Sequence, residues 1–559
     1  MSDRPKFDRH FAHWPRHAPK SLMIPETTLP YNLEVSARRY PERVAIHFYG
    51  GSLTYRSLWQ QVEGLAGFLQ KRLNVRKGDR VLLYMQNSPQ FIIAYQAILR
   101  ADAIVIPVNP MNRHAELAHF VSDTGAVAAL AGQELASQII PHLGTGALAG
   151  LVLARYGDYA DPDFDLPVPD AVRTPPLTAT GNPAIHLWSD AIDHSPADPM
   201  TASPDDLAVF PYSSGTTGNP KGCMHTHRSV MAVVAASAAW TAINPDNVHL
   251  VCLPLFHVTG MQTAMNTPIF SGSTMVLMTR WDRRVAAALI ERHRVNRWRS
   301  IATMAIDLVN DPECASFDLS SLSGIGGGGA TMPDAVAARL KSLVGLDYIE
   351  GYGLSETMAS THINPTDRPK PQCLGIPIFD VDSRIISLDD GSELPPGEVG
   401  EIVIHGPQLF QGYWNDPEGT AAAFMEIDGK RFLRTGDLGR YDEDGYFYIV
   451  DRLKRMINAS GFKVWPTEVE SLMMRHPGIA EACVIASPDP RRGETVKALV
   501  VPRESHRDTL NAEDIIKWCH AEMAAYKCPT SVIIQNNLPR SATGKVQWRE
   551  LQEQEWATA

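Results

Sequence analysis

Apolar positions recur along this chain in two rhythms. From Thr54 they fall at Leu58, Val62, Leu65 and Leu69, the spacing of one stripe on a helix, with the Thr54 hydroxyl placed to cap it. Lys77-Gly78-Asp79 reads as a turn into a strand at Val81-Leu82-Leu83, followed by a helix around Phe91 to Leu99 and a strand at Val105-Ile106-Pro107-Val108. Strand, helix, strand predicts an α/β fold on a parallel sheet. Further on, Leu207-Ala208-Val209-Phe210 reads as a buried strand, Met224 to Trp240 as an apolar helix and Val248 to Leu253 as a strand. Val285 to Val295 reads as a helix, Gly324 to Ala330 as a glycine-dense loop and Leu346 to Glu350 as a strand. From Pro141 to Pro204 periodicity is weak and Pro, Gly, Ala and Asp abound, so loops and short elements are expected there. Beyond Asp380 the pattern turns to alternation, as in Gly400 to Ile404 and Tyr446 to Val450, with Asp444-Gly445 as a hairpin turn. A β-rich, barrel-like subdomain is expected to end at the charged run Asp451-Arg452-Leu453-Lys454. That run divides a large domain, residues 1–450, from a small α+β domain, residues 451–559.

Composition narrows the class. A chain of 559 residues is too long for a single core. Hydrophobic residues make up 44% and charged residues 20%, as in soluble globular proteins. The net charge of -11, with no basic stripe among aromatics, argues against nucleic acid as a partner. The seven cysteines are scattered and never spaced C-x-x-C, which suits a reducing, cytoplasmic setting and argues against a disulfide framework. Met1 to Lys20 has no apolar core of a secretory signal, and no apolar run reaches the length of a membrane span. His10, His13 and His17 lie on a proline-containing arm and are expected to be solvated rather than metal-bound.

The chain is organised around Tyr212-Ser213-Ser214-Gly215-Thr216-Thr217-Gly218-Asn219-Pro220-Lys221-Gly222. A loop of Ser, Thr and Gly between a strand and a helix start is a place to hold phosphate: glycines admit the ligand, N–H groups and hydroxyls face its oxygens, and Lys221 supplies charge. A Walker loop needs Gly before the lysine and Ser or Thr after it, whereas Lys221 stands between Pro220 and Gly222. This is a phosphate loop of another kind.

Further motifs follow in order: Pro254 to Gly260, Gly351-Tyr352-Gly353-Leu354-Ser355-Glu356, Arg434-Thr435-Gly436-Asp437, Asp451 to Gly461, and Pro539 to Lys545. Together they resemble the adenylate-forming superfamily of acyl-CoA synthetases, firefly luciferase and nonribosomal peptide adenylation domains. The stretch Asp451 to Glu470 looks most like the fatty acyl-CoA synthetases. The resemblance implies that a carboxylate attacks the α-phosphorus of ATP, releasing pyrophosphate, and that the thiol of coenzyme A then takes the acyl group and releases AMP. It implies that Ser213, Ser214, Gly215, Thr216, Thr217, Gly218 and Lys221 grip the β- and γ-phosphates and that Ser355 bonds a phosphate oxygen. Glu356 would hold Mg2+, a cation that prefers oxygen ligands. Gly328, Gly351, Tyr352 and Gly353 would line the adenine, with Tyr352 stacking on it, and Asp437 and Arg452 would take the ribose. Lys545 would stabilise the first transition state from a mobile small domain that hinges at Lys454. After the turn, Gly461 would let pantetheine pass. Relatives carry lysine where this chain has Asn458, and Asn458 is assigned no role.

His257 would steer the substrate carboxylate. No acidic residue occurs from Pro254 to Thr274, so an amino-acid substrate, whose buried ammonium would stand unpaired, is disfavoured. The glycines at 326–329 are expected to leave room for a long or bulky acyl group. Trp240 reads as core, and Cys223, His225 and His227 diverge on a helix rather than forming a metal site. The first reading is a synthetase for a medium- or long-chain fatty acid. The alternatives are an aryl- or branched-acid CoA ligase and an enzyme loading a separate carrier protein. A non-catalytic nucleotide-binding regulator is disfavoured because Glu356, Asp437 and Lys545 are all present. A homodimer is compatible with the sequence.

Overall fold

Arg80–Tyr84 and Ile104–Pro107 lie in parallel, joined by the helix Pro89–Arg100. The computed structural model describes residues 8–177, 181–213, 220–329, 331–459, 462–489, 493–540 and 546–558. Contacts divide the chain into two compact units. The first takes in residues up to Ser383, Ile404–Leu433 and Asp444–Tyr446; the second takes in Arg384–Val403, Arg434–Glu443 and everything from Phe447 on.

Two large sheets build the first unit. One has the strand order His225–Thr226, Leu207–Val209, Ile104–Pro107, Arg80–Tyr84, Ala128–Gly132, Gly150–Ala154, Ile185–Leu187. All its neighbours are parallel except the first pair. The other runs Ile376–Pro377, Ala359–Ile363, Tyr348–Leu354, Gly324–Gly328, Arg297–Ser300, Val248–Val251, Thr274–Leu277, Val44–Phe48, Gly51–Thr54. Helices bury their apolar stripes on these sheets. In Tyr55–Lys71, Leu58, Val62, Leu65 and Leu69 are fully buried, and Thr54 accepts the Ser57 N–H as its cap. No helix among the described residues is long and apolar enough to cross a membrane.

As expected, the stretch from Pro141 holds short elements, among them a five-residue, wholly buried strand, Gly150–Ala154. Other expectations need correction. The glycine-dense segment is itself mostly a strand, Gly324–Gly328, between two parallel neighbours. A Cβ on Gly327 would stand 1.8 Å from the Ser300 carbonyl oxygen, and one on Gly328 2.4 Å from that of Gly351. The room expected at Gly326, Gly327 and Gly328 is filled by neighbouring backbone. The apolar helix begins at His227, not Met224, because His225–Thr226 first pairs with Leu207–Val209. The N-terminal arm is also anchored: Trp14 is buried edge-on against Trp240 and Phe379. His10 is buried too, its pKa lowered to about 4 by loss of solvation.

In the second unit, Phe447–Arg452 pairs antiparallel with residues 437–441. Ile479–Asp489 and Gly493–Pro502 form a long antiparallel ladder. Val469 and Met473 of the helix Pro466–Met473 and Ile515 and Cys519 of Ala512–Glu522 join Val484, Val496, Ala498 and Val500 in its core.

Candidate active site

The stem of the phosphate loop is a short hairpin. Tyr212–Ser213 pairs with Lys221–Gly222 so that Ser213 faces Lys221 and Tyr212 faces Gly222. Ser214, Gly215, Thr216, Thr217 and Gly218 lie outside the described residues. The helix His114–Thr124 pins the stem from one side. Tyr212 donates to Asp123 Oδ2 at 2.5 Å, and the His119 ring lies 2.9 Å from the Pro220 carbonyl. Because strand residues separate Lys221 from the helix at His227, the loop does not run straight into a helix N-terminus. Charge at this point comes from Lys221 itself.

The second motif lies on the strand Tyr348–Leu354 and the turn Ser355–Thr357. Gly328 pairs with Gly351. Tyr352 is buried edge-on to His362, with ring centroids 5.7 Å apart. The pairing with Ala359–Ile363 shifts register at Tyr352/Gly353. A Cβ on Gly353 would come within 1.6 Å of the Ala359 carbonyl oxygen, so only glycine fits. Met358 and Ala359 turn the chain at φ 51 and 94, where side chains are strained. This tight return holds Ser355 and Glu356 at the strand's end.

Lys221 and Glu356 meet across a third segment. The Lys221 ammonium pairs with Asp416 at 2.5 Å and stands over the Tyr413 ring, 5.3 Å from its centroid. The Tyr413 hydroxyl donates to Glu356 Oε1 at 2.8 Å. Backbone bonds fix the segment to both motifs: Met224 N–H to Gly412 O, Gln411 N–H to Met224 O, Trp414 N–H to Gly222 O and Phe410 N–H to Glu356 O. The His225 ring bonds the Ser355 carbonyl at 2.8 Å. A carbonyl only accepts, so Nε2 carries the proton, and burial holds the His225 pKa near 4, leaving the ring neutral. Burial, with Glu356 alongside, pushes the Tyr413 phenol well above its ordinary pKa. The hydrogen bond from Lys221 holds Asp416 below its ordinary value.

His257 is half-buried and begins a short helical turn, its Nδ1 accepting the Thr259 N–H at 3.4 Å. Gly260 is required there, since a Cβ would lie 2.2 Å from the Pro254 oxygen. The helix then widens over Met261–Asn266. Trp240 is fully buried and donates to the Asn364 carbonyl, as a core residue. Cys223, His225 and His227 form no metal cluster, and no group of three or more potential ligands occurs among the described residues.

In the second unit, Asp437 lies opposite Arg452, whose Nε is 3.0 Å from its Oδ1. Asp437 is 1% exposed, and Gly436 turns at φ 68 just before it. Lys454 is exposed on the turn Leu453–Arg455. The preceding Asp451 accepts the N–H groups of Arg452 and of Thr467, the latter on the helix Pro466–Met473. Gly461 and Lys545 lie outside the described residues.

A carboxylate turn and a phosphate-loop lysine joined through one segment suit a nucleotide site, and comparison with known proteins agrees. Residues 33–414 match the profile of the AMP-binding enzyme family, and residues 468–545 match that of the AMP-binding enzyme C-terminal domain. The chain belongs to the AMP-binding enzyme family. Among its AMP-binding relatives is a long-chain-fatty-acid–CoA ligase of Bacillus subtilis (strain 168), 34% identical over 97% of each chain. A feruloyl-CoA synthase of Amycolatopsis is 33% identical over 91% of this chain and 95% of its own. The crystal structure of ATP-bound MatB from Rhodopseudomonas palustris superposes with a TM-score of 0.81 at 26% identity, covering 94% of this chain and 99% of that one.

Within this AMP-binding fold, two residues at the site escape sequence reasoning: Tyr413 and Asp416. Their signal was the run Gly412-Tyr413-Trp414-Asn415-Asp416-Pro417, two aromatics inside a turn-forming sequence. Nothing local in it points to Lys221 or Glu356.

Proposed function

We propose that this protein is an AMP-forming acyl-CoA synthetase that activates a long-chain fatty acid. The observation that carries the reading is the bridge from Lys221 through Tyr413 to Glu356. It holds a cation for phosphates and a carboxylate for a divalent ion side by side. The long-chain-fatty-acid–CoA ligase of Bacillus subtilis supports the fatty-acid substrate.

In the first step a carboxylate oxygen of the acid bonds to the α-phosphorus of ATP as the bond to the bridging oxygen breaks and pyrophosphate leaves. The reactants are all anions, so catalysis is mainly positioning and charge neutralisation. Lys221, with Ser213 and the loop hydroxyls, neutralises and orients the β- and γ-phosphates. Glu356 fits Mg2+: it is a half-exposed hard oxygen donor beside the loop stem. A single protein carboxylate leaves the other positions to phosphate and water, as this ion prefers. Bound there, Mg2+ would screen charge between the phosphate oxygens. Asp437, fixed by Arg452, accepts from the ribose hydroxyls. His257 steers the acid's carboxylate, and Lys545 stabilises charge developing at the α-phosphate. In the second step the thiol of coenzyme A gives up its proton to solvent, its sulfur bonds to the acyl carbon and AMP leaves, its phosphate taking the electrons of the broken bond. Lys454 is the hinge between the steps and Gly461 lines the thiol's path, with the body ending near residue 450. The seven cysteines, all buried and none in a disulfide, suit cytoplasm.

The feruloyl-CoA synthase relative favours a second reading, an aryl-acid ligase. Pyrophosphate release measured on fatty acids of rising length and on aryl acids, with and without coenzyme A, tests both. Saturable release and thioester formation with C12–C18 acids is the expected result. Activity confined to aryl acids would replace the substrate, and release with no acid at all would overturn the enzyme class.

A further inference from the structure

We propose that Tyr413 and Asp416 are positioning residues for adenylate formation: Tyr413 sets the Glu356 carboxylate for the divalent cation, and Asp416 anchors the Lys221 ammonium for the phosphates. The inference rests on the roles given above to Lys221 and Glu356 and adds what holds those two groups in register.

Asp416 is held at both oxygens. Oδ1 accepts the Gly419 N–H at 2.8 Å and caps the helix Pro417–Ala422, while Oδ2 faces Lys221 at 2.5 Å. To follow the lysine away, the carboxylate would have to uncap its helix. Gly419 makes the space: a Cβ there would stand 2.8 Å from the Lys221 nitrogen and 2.2 Å from Asp416 Oδ2. Tyr413 is fixed as well. Its N–H donates to the Thr420 hydroxyl at 2.9 Å, and its ring meets Phe410 edge-on at 4.9 Å. Its hydroxyl donates to Glu356 Oε1 at 2.8 Å.

The arrangement solves an electrostatic problem. A flexible lysine beside the metal-binding carboxylate tends to pair with it, which would take that carboxylate from the metal. Here the ring of Tyr413 lies under the ammonium, its hydroxyl holds Glu356, and Asp416 satisfies Lys221 instead. The two charges are kept close yet separate, and the same segment is bonded to the backbone on either side of them. Positioning by preorganised partners of this sort makes a metal ligand more effective without touching the metal.

The test uses the full-length enzyme with an ATP analogue that cannot be cleaved between its α- and β-phosphates. Calorimetry gives the analogue's affinity without metal, then the affinity of the complex for Mg2+; pyrophosphate release against Mg2+ gives the kinetic counterpart. Tyr413→Phe keeps the ring under Lys221 and should weaken Mg2+ by about 10- to 100-fold, with metal-free analogue affinity close to wild type. Asp416→Asn keeps a capping oxygen and should show the reverse, weaker metal-free binding and nearly normal Mg2+ affinity. Melting curves of both variants verify folding. Unchanged Mg2+ affinity in Tyr413→Phe, or analogue binding in Asp416→Asn as tight as wild type or tighter, overturns the corresponding half of the proposal. Glu356→Gln separates the two levels. If it shifts Mg2+ affinity and Tyr413→Phe does not, only the role of Tyr413 falls. If Glu356→Gln shifts nothing, the metal role of Glu356 falls with it.

Discussion

Gly353→Ala probes the tight return that carries Ser355 and Glu356. The new methyl carbon would sit 1.6 Å from the Ala359 oxygen and 2.2 Å from its carbonyl carbon. A carbon and a carbonyl oxygen approach no closer than about 3.3 Å, so the strands must part by roughly 1.7 Å. Hydrogen bonds near 2.9 Å cannot survive that displacement. The pairs at stake are Tyr352 with His362, Gly353 with Ser360 and Leu354 with Ala359. Loss of two or three such bonds, at about 1 kcal/mol each plus some desolvation, costs roughly 2–4 kcal/mol. The entropy gained by removing a glycine offsets only about 0.5–1 kcal/mol of it. Gly351→Ala is the internal control, since its nearest neighbour, the His362 oxygen, lies at 3.1 Å and a few tenths of an ångström relieve it. Urea unfolding followed by tryptophan fluorescence should place Gly353→Ala well below both wild type and Gly351→Ala. Pyrophosphate release should also need more Mg2+, because Glu356 lies on the turn that follows the displaced strand. A Gly353→Ala enzyme with wild-type stability and Mg2+ dependence would refute the claim that this return is rigid.

Lys545→Ala should lower acyl-AMP formation by about 10²- to 10³-fold, as for loss of one transition-state donor. It should spare thioester formation from supplied acyl-AMP and coenzyme A; an equal fall in both half-reactions of a folded variant would contradict the role. Glu134→Gln should stabilise the protein at high pH. Burial raises the Glu134 pKa from 4.5 to about 7, so between those values the unfolded chain has lost a proton that the folded one keeps. Stability therefore falls as pH rises through that window and levels off above it. The variant's advantage in melting experiments should be near zero at pH 4 and reach roughly 3 kcal/mol by pH 8. Trp14→Ala should cost about 3–5 kcal/mol in urea unfolding, since Trp14 is 6% exposed and wedged against Trp240 and Phe379.

Where structure follows local pattern, the sequence was readable. The stripe on Tyr55–Lys71 and the alternation of strand and helix from Arg80 to Pro107 are set by neighbours in the chain. Within the short elements expected from Pro141, the strand Gly150–Ala154 could not be singled out, because five consecutive apolar, wholly buried residues show no alternation. The glycine run misled in the other direction: Gly326, Gly327 and Gly328 mark close approach of strands rather than empty space, and that depends on Ser300, Ile349 and Gly351, far off in the chain. His10 became buried through partners nothing nearby announces, among them Gly445. At the site, Lys221 and Glu356 stood out because ordered motifs flagged them. Tyr413 and Asp416 did not, because their part is defined only by distant residues that they touch.

The second unit gathers three separate stretches of chain, so it cannot be cut out at one bond. Protein split ahead of Phe447 would strip Phe447–Arg452 of the strand it is hydrogen-bonded to, residues 437–441. The severed piece would expose raw β-edge to its own copies and invite aggregation. Asp437 would also be parted from Arg452. Halves exchanged between genes at that point would arrive with paired strands parted, and moving the crossover back to Arg384 would cut the strand Asp382–Ile386 and part Tyr413 and Asp416 from Glu356 and Lys221.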